Sequence, residues 1–300
     1  MESFLQLLLN GTALGSIYAL IALGYTMVYG ILRLINFAHG DIVMVGAYAG
    51  LFTALAIGAP AHPTFGNFCV VLIAAMAASA LLGLAIERFA YRPLRNVPRL
   101  NLLITAVGVS LLLENLGQVC FGATPRVFPE IMPSMTLIQY GQIAVTNQQV
   151  TVFVTSLFLM IVLEWIVLKT KLGRAMRAVS FSHEIASLVG IPTDKIVAFT
   201  FAVGSALAAA AGILICISYP RVDPLMGVMM GLKAFVAAVL GGIGSIRGAV
   251  VGGLLMGIAE AMVVGYGSST YRDALAFAIL ILILLFKPAG LFGKYQPEKV

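Results

Sequence analysis

The chain has 300 residues, of which 61% are hydrophobic and only 10% charged. Soluble domains run nearer about 45–50% apolar and about 25% charged, so this balance excludes an ordinary water-soluble fold and points to an integral membrane protein. The net charge of +6 does not indicate nucleic acid, because the basic residues fall in short clusters between apolar runs and form no stripe interleaved with aromatics.

A helix rising about 1.5 Å per residue needs about 20 residues to cross a hydrocarbon core of roughly 30 Å. Apolar runs near that length predict an all-α, polytopic transmembrane bundle with spans at 6–30, 40–58, 67–87, 102–121, 150–168, 197–218, 231–246, 249–266 and 273–286. Eight or nine of these cross, since 231–246 and 273–286 are short enough to be tilted, broken or re-entrant. The opening MESFLQLLLN has acidic Glu2 and no basic segment, so it reads as a retained first span. The whole chain, 1–300, reads as a single transmembrane domain.

Between the first two spans, NFAHGDIVMVGAY at 36–48 sets Asn36, His39 and Asp41 among apolar neighbours. A turn, a satisfied polar cluster, a metal site, a catalytic dyad and a transport path are the competing readings. His39 is one potential metal ligand without two or three companions. Asn36 and Asp41 suit helix ends, and Gly40 and Gly46 allow close backbone approach. The stretch therefore reads as a polar break near the inner end of the first span.

Positive residues in short loops stay on the cytoplasmic side. Loop 88–101 holds Arg88, Arg92, Arg95 and Arg99, and loop 169–196 holds Lys169, Lys171, Arg174, Arg177 and Lys195. Both are expected inside, which puts 122–149, with Arg126 as its basic residue, outside. The alternation gives an N-terminus outside, which is periplasmic in a bacterial inner membrane, and a cytoplasmic tail. Arg33, Arg247, Lys287, Lys294 and Lys299 join the inner set, while Arg126, Arg221, Lys233 and Arg272 fall elsewhere.

Small residues recur four apart at Gly11 and Gly15, Gly46 and Gly50, Gly204 and Ala208, Gly244 and Gly248, and Gly253 and Gly257. Such faces let helices approach closely in lipid, where hydrophobicity offers no drive for association. A weak internal repeat also shows. GSIYALIALG at 15–24 precedes the break at 36–50, and GSALAAAAG at 204–212 precedes another at 241–253; transporters carry such repeats around broken helices. Cys69, Cys120 and Cys216 are isolated in apolar segments and read as small buried hydrophobes.

No G-x-x-x-x-G-K-[ST] occurs, and GGIGSIRGAVVGG at 241–253 lacks the flanking strand and ribose acid of a dinucleotide site. HExxH, GxSxG and paired catalytic carboxylates are absent as well, so the chain reads as a transport subunit rather than an enzyme. Glu114 and Glu260 lie well inside spans, where an ionised carboxylate costs on the order of 2.5–3.5 kcal/mol without a partner. They are expected to face the bundle interior, while Glu87 and Glu164 are near helix ends and expected to reach solvent. Loop 169–196 reads as a short amphipathic helix ending near Gly190, with Ala186, Leu188 and Val189 on one side and Arg177, His183 and Glu184 open to a partner. A plain connector is the other reading.

Taken in order, GSIYALIALGYTMVYGILRLINFAHGDIVMVGAY at 15–48, GRAMRAVSFSHEIASLVGI at 173–191, LKAFVAAVLGGIGSIRGAVVGG at 232–253 and FKPAGLFG at 286–293 resemble the LivH-type permease subunits of bacterial ABC importers for branched-chain amino acids. The resemblance implies a bacterial inner-membrane location and a pore of two related permeases, identical or different. It also implies two cytoplasmic ATPase subunits that bind ATP and Mg²⁺, a periplasmic substrate-binding protein, and no cofactor in this chain. It makes Gly173 to Gly190 the ATPase-coupling segment, with Gly173, Arg174, Arg177, Glu184, Ala186 and Gly190 as candidates. For a path that takes leucine, isoleucine or valine, Tyr18, Tyr25, Asn36, Tyr48, Glu114 and Glu260 are the candidate lining residues. Urea, short amides and other amino acids are carried by related permeases and stay open as substrates, and so does a self-contained channel.

Overall fold

In the computed structural model, which describes residues 2–95, 97–141 and 143–293, every predicted span is a helix. These are α1 (Glu2–Leu32), α2 (His39–Ala56), α3 (Phe65–Ile86), α4 (Arg99–Phe121), α5 (Asn147–Lys169), α8 (Thr193–Ser218), α9 (Met226–Gly241), α10 (Ile246–Tyr266) and α11 (Arg272–Phe286); α6 (Lys171–Phe181) and α7 (His183–Leu188) lie in the loop between α5 and α8. Among the described residues eight helices are long and apolar enough to cross a membrane, and α9 is a shorter apolar helix. The chain is a multi-pass membrane protein. Lys294 and Lys299, which the charge pattern assigns to the inner set, lie outside the described residues.

α1 and α8 form the centre, buried from Leu14 to Val28 and from Leu207 to Ile217 almost without interruption. α10 packs along α1 through glycine. A Cβ on Gly257 would lie 2.2 Å from the Gly15 nitrogen, and one on Gly253 would lie 2.5 Å from Ala19 Cα. The predicted pair Gly244 and Gly248 does not form such a face, because Gly244 is left-handed at φ +94° and precedes the helix. With Gly242 at φ +103° it ends α9 at Gly241, five residues before the predicted boundary. α4 and α11 are peripheral. Cys216 is buried as expected, but Cys120, near the end of α4, is exposed, because that helix turns most of its surface outward.

The connection from α1 to α2 does not stay at the helix end. A Cβ on Gly24 would run into the His39 ring, so α2 begins about eight residues, or roughly 12 Å of rise, back along α1. The polar break thus reaches deeper than expected, with residues 33–38 running back along α1. α9 starts against the start of α2, with a Cβ on Gly40 2.5 Å from the Gly227 carbonyl oxygen and one on Gly227 2.4 Å from that of Gly40.

At one end of the bundle β1 (Arg126–Val127) pairs antiparallel with β4 (Arg221–Val222). Beside it β2 (Thr136–Tyr140) and β3 (Ile143–Thr146) form a hairpin. Buried Phe128, Ile131 and Met132 fasten this segment to the helices. The other end carries α6, α7 and the loop after α3.

Candidate functional site

The structure distributes the candidate residues over three places, the path candidates over two and the coupling candidates over the third. The first is a buried ion network between α1, α9, α10 and α11. Tyr18 Oη donates to Glu260 Oε2 at 2.8 Å, and Lys233 Nζ donates to Glu260 Oε1 at 3.2 Å. Arg272 Nε lies 2.7 Å from the same oxygen, a charge contact rather than an aligned hydrogen bond. Lys233 also reaches Asp273 Oδ1 at 2.8 Å, and the Arg272 guanidinium sits over the Tyr219 ring at 5.9 Å. Glu260 is wholly buried and Lys233 is 3% exposed, so this pair neutralises itself away from water, while Arg272 and Asp273, 36% and 52% exposed, join it from the solvent-accessible side. Glu260 faces inward, as its place in the span requires.

Sequence reasoning missed Lys233, Arg272 and Asp273. The available signal was a lysine in the middle of an apolar helix, which demands a counter-charge. The other two basic residues outside the inner set are also held locally: Arg221 pairs with Asp223 at 2.9 Å, and Arg126 donates to the Phe121 carbonyl at 2.6 Å. All four are placed by internal partners, which is why they do not follow the loop pattern.

The second place surrounds the start of α2. Tyr25 stands edge-on to His39 with centroids 4.6 Å apart. Buried Asn36 accepts from Tyr91 Oη at 2.7 Å, on the π-helical turn that prolongs α3 through Glu87–Tyr91. Asp41 accepts from Ser110 of α4, and Glu114, one turn further along α4, is half-buried. Tyr48 stacks on Phe121 at 4.3 Å. The Asn36 amide nitrogen, His39 Nε2 and Tyr48 Oη have no hydrogen-bond partner among the described residues, which leaves polar capacity in the interior. Among these described groups no three His, Cys, Asp or Glu side chains converge as a metal site would need.

The third place is the helical elbow α6–α7. Thr170 Oγ1 accepts from the Gly173 amide and starts α6, and Ser182 does the same for α7 through Ile185. The expected single helix is thus two, broken at Ser182. Gly190 at φ +81° closes α7, with Ile191 N donating to the Ala186 carbonyl and Gly190 N to that of Ser187; this 6→1 and 5→2 pairing is a Schellman end. A Cβ on Gly173 would strike the Val167 and Ile166 carbonyls of α5, and Arg177 donates to the Val167 carbonyl. Ala186 is buried. These residues hold the elbow together, whereas Arg174 and Glu184 are exposed. Leu188 and Val189, predicted on one side with Ala186, are instead 85% and 69% exposed and join exposed Phe181 and Ile185 in an apolar patch.

An arginine knot ties the start of α8, just past the elbow, to the end of α3. Asp194, in the first turn of α8, accepts from Arg92 and, at 2.5 Å, from Arg95, and Arg95 also pairs with Glu87. Glu87 was expected to reach solvent; it is buried because α3 continues past it and brings Arg95 over its carboxylate. Glu164 is 39% exposed and pairs with Arg247 at 3.2 Å. Burial, with Arg95 and Arg33 nearby, holds the His183 imidazole below its ordinary range.

Comparison with known proteins agrees with this architecture. The family model described as branched-chain amino acid transport system / permease component matches residues 7–284. The high-affinity branched-chain amino acid transport system permease protein LivH of Escherichia coli is 42% identical over 99% of this chain and 98% of its own length. BraD of Pseudomonas aeruginosa, a permease protein of the same description, is 41% identical over the same shares. A chain of PsaBC from Streptococcus pneumoniae in complex with Fab has the same fold, with a TM-score of 0.50 at 14% identity over 96% of this chain and 94% of that one. The chain belongs to the family of branched-chain amino acid transport system permease components.

Proposed function

We propose that this chain is the membrane-spanning permease subunit of an ATP-binding-cassette importer for leucine, isoleucine and valine in a bacterial inner membrane. The observation that carries the reading is the 42% identity to LivH along essentially the full length of both chains. In this reading the chain pairs with a second permease, a periplasmic binding protein delivers the substrate, and two ATPases with ATP and Mg²⁺ dock on the elbow. The N-terminus and the β-hairpin face the periplasm, and the arginine knot and elbow face the cytoplasm, in keeping with the positive loops at that end.

The elbow geometry supports the docking role. Phe181, Ile185, Leu188 and Val189 form an exposed apolar patch flanked by the charges of Arg174 and Glu184, the composition of an anchor with a polar rim. ATP drives alternating access only through different interaction with the two states. The elbow, held to α5 by Arg177 and followed directly by α8, whose Asp194 is tied to Arg92 and Arg95, carries such a difference into the bundle.

Two measurements test this. The assembled complex in proteoliposomes takes up labelled leucine with ATP and binding protein, and uptake ceases when the partner ATPase is inactivated; undiminished uptake means a self-contained channel. Leu188→Asp and Gly190→Pro are expected to leave membrane insertion intact and to cut ATPase co-purification and stimulated turnover at least tenfold. Proline is excluded at 190 because its φ is fixed near about −65°. Wild-type association in both variants removes the elbow from the mechanism.

A further inference from the structure

A cavity of about 840 Å³ opens between the elbow and the ends of α1, α4 and α8. It shares Phe181 and Glu184 with the elbow and Tyr91 with the polar groups at the start of α2, and Ile185, Leu188 and Val189 lie outside its lining. Its walls combine three chemistries. Leu34 and Leu102, each 7% exposed, and Phe181 give apolar surface. Arg33 brings a guanidinium with no carboxylate partner among the described residues, while Arg92 and Arg95 are already occupied by Asp194 and Glu87. Glu184 brings a carboxylate from the elbow side.

Arg33 is also the one non-glycine residue with positive φ among those described, at 53°. It occupies the position after α1 where glycine is free and an L side chain is not. A strained backbone that persists around a charged side chain lining a cavity points to a use for that side chain. His183, with its base weakened by burial and by Arg95 and Arg33, stands next to it as a neutral hydrogen-bond donor.

We propose that this cavity binds a zwitterionic aliphatic amino acid from the cytoplasm and that the occupied site opposes import. The carboxylate sits on Arg33 and His183, the ammonium on Glu184, and the side chain against Leu34, Leu102 and Phe181. A multiply charged anion fits less well, because Glu184 in the same wall repels it while Arg92 and Arg95 are already paired. Arg33, Leu34 and Leu102 belong to the bundle, and His183, Glu184 and Phe181 to the elbow. A ligand bridging them makes its full contacts only while the two stay in this relation, so it favours this arrangement over one in which the elbow has moved. The inference rests on the importer reading and on the inward placement of the elbow.

The test uses the full complex with its ATPases and binding protein, in proteoliposomes whose ATP-containing lumen carries unlabelled L-leucine. Luminal leucine is expected to slow initial uptake of external tracer several-fold. Arg33→Asn removes the guanidinium and keeps a residue that tolerates left-handed backbone. Without luminal leucine it takes up tracer at the wild-type rate, and it requires about tenfold more luminal leucine for the same inhibition, the scale of one charge-assisted hydrogen bond. Equal inhibition of Arg33→Asn and wild type, or no inhibition of wild type, overturns the proposal while leaving the importer reading intact. A wild-type complex without ATP-dependent leucine uptake overturns the importer reading instead. Binding of radiolabelled leucine to the permease–ATPase complex in nanodiscs without the binding protein, weakened about tenfold in Arg33→Asn, then still reads the cavity; equal binding in both overturns it.

Discussion

Glu260→Leu is expected to destabilise the detergent-solubilised protein by about 3–5 kcal/mol, the scale of removing one partner from a buried ion pair. The leucine fills similar space but leaves Lys233 beside apolar side chains with only Asp273 as its counter-charge, and it strips Tyr18 of its acceptor. Arg272, 36% exposed, regains solvent more easily. Adding Lys233→Met to Glu260→Leu should therefore recover a large part of the loss. Glu260→Gln, which retains an acceptor for Tyr18, should fall between wild type and Glu260→Leu. Thermal unfolding of the purified variants reads the order. A Glu260→Leu protein as stable as wild type would show that the network is not under the electrostatic strain its burial implies.

The second large effect belongs to the seam between α1 and α10. Gly257→Ala adds one methyl group, and that methyl lands 2.2 Å from the Gly15 nitrogen and 2.3 Å from its Cα. Backbone cannot rotate away as a flexible side chain does, so the two helices must part along their length. Overpacking costs about 1–3 kcal/mol when a core can adjust, and a backbone contact sits at or beyond the upper end. Gly108→Ala is the matched control, since nothing lies within 4 Å of its Cβ position in α4. It is expected to be neutral or stabilising by up to about 1 kcal/mol, the helix-propensity gain of alanine. The fraction of monodisperse protein after extraction distinguishes the two, and equal yields contradict the seam.

Hydrophobic length alone located the nine helices, because crossing lipid demands an apolar run that few other structures need. Glycine spacing likewise marked the seam at Gly11, Gly15, Gly253 and Gly257. Three-dimensional closure did not show in the one-dimensional pattern. Glu260 was recognised as an interior acid, but its partners Lys233 and Arg272 looked like misplaced loop residues until the bundle brought them together. His39 and Asn36 looked like a feature of a helix end; only the path of residues 33–38 back along α1 carries them inward. On the elbow, Leu188 and Val189 were grouped with Ala186 by helical periodicity, and the break at Ser182 with the left-handed Gly190 rotated them to the outside. Periodicity assumes one uninterrupted helix, and these errors arise where the chain interrupts one.

α9 has a further consequence for biogenesis. At 16 residues it rises about 24 Å, short of a roughly 30 Å hydrocarbon core, and it carries Lys233 at its middle. The counter-charge on Glu260 is synthesised 27 residues later, and Asp273 later still. When α9 leaves the ribosome it therefore lacks both the length and the neutrality to partition into lipid alone. Stable insertion of α9 is thus expected to depend on α10 and α11, which bring Glu260 and Asp273 to Lys233.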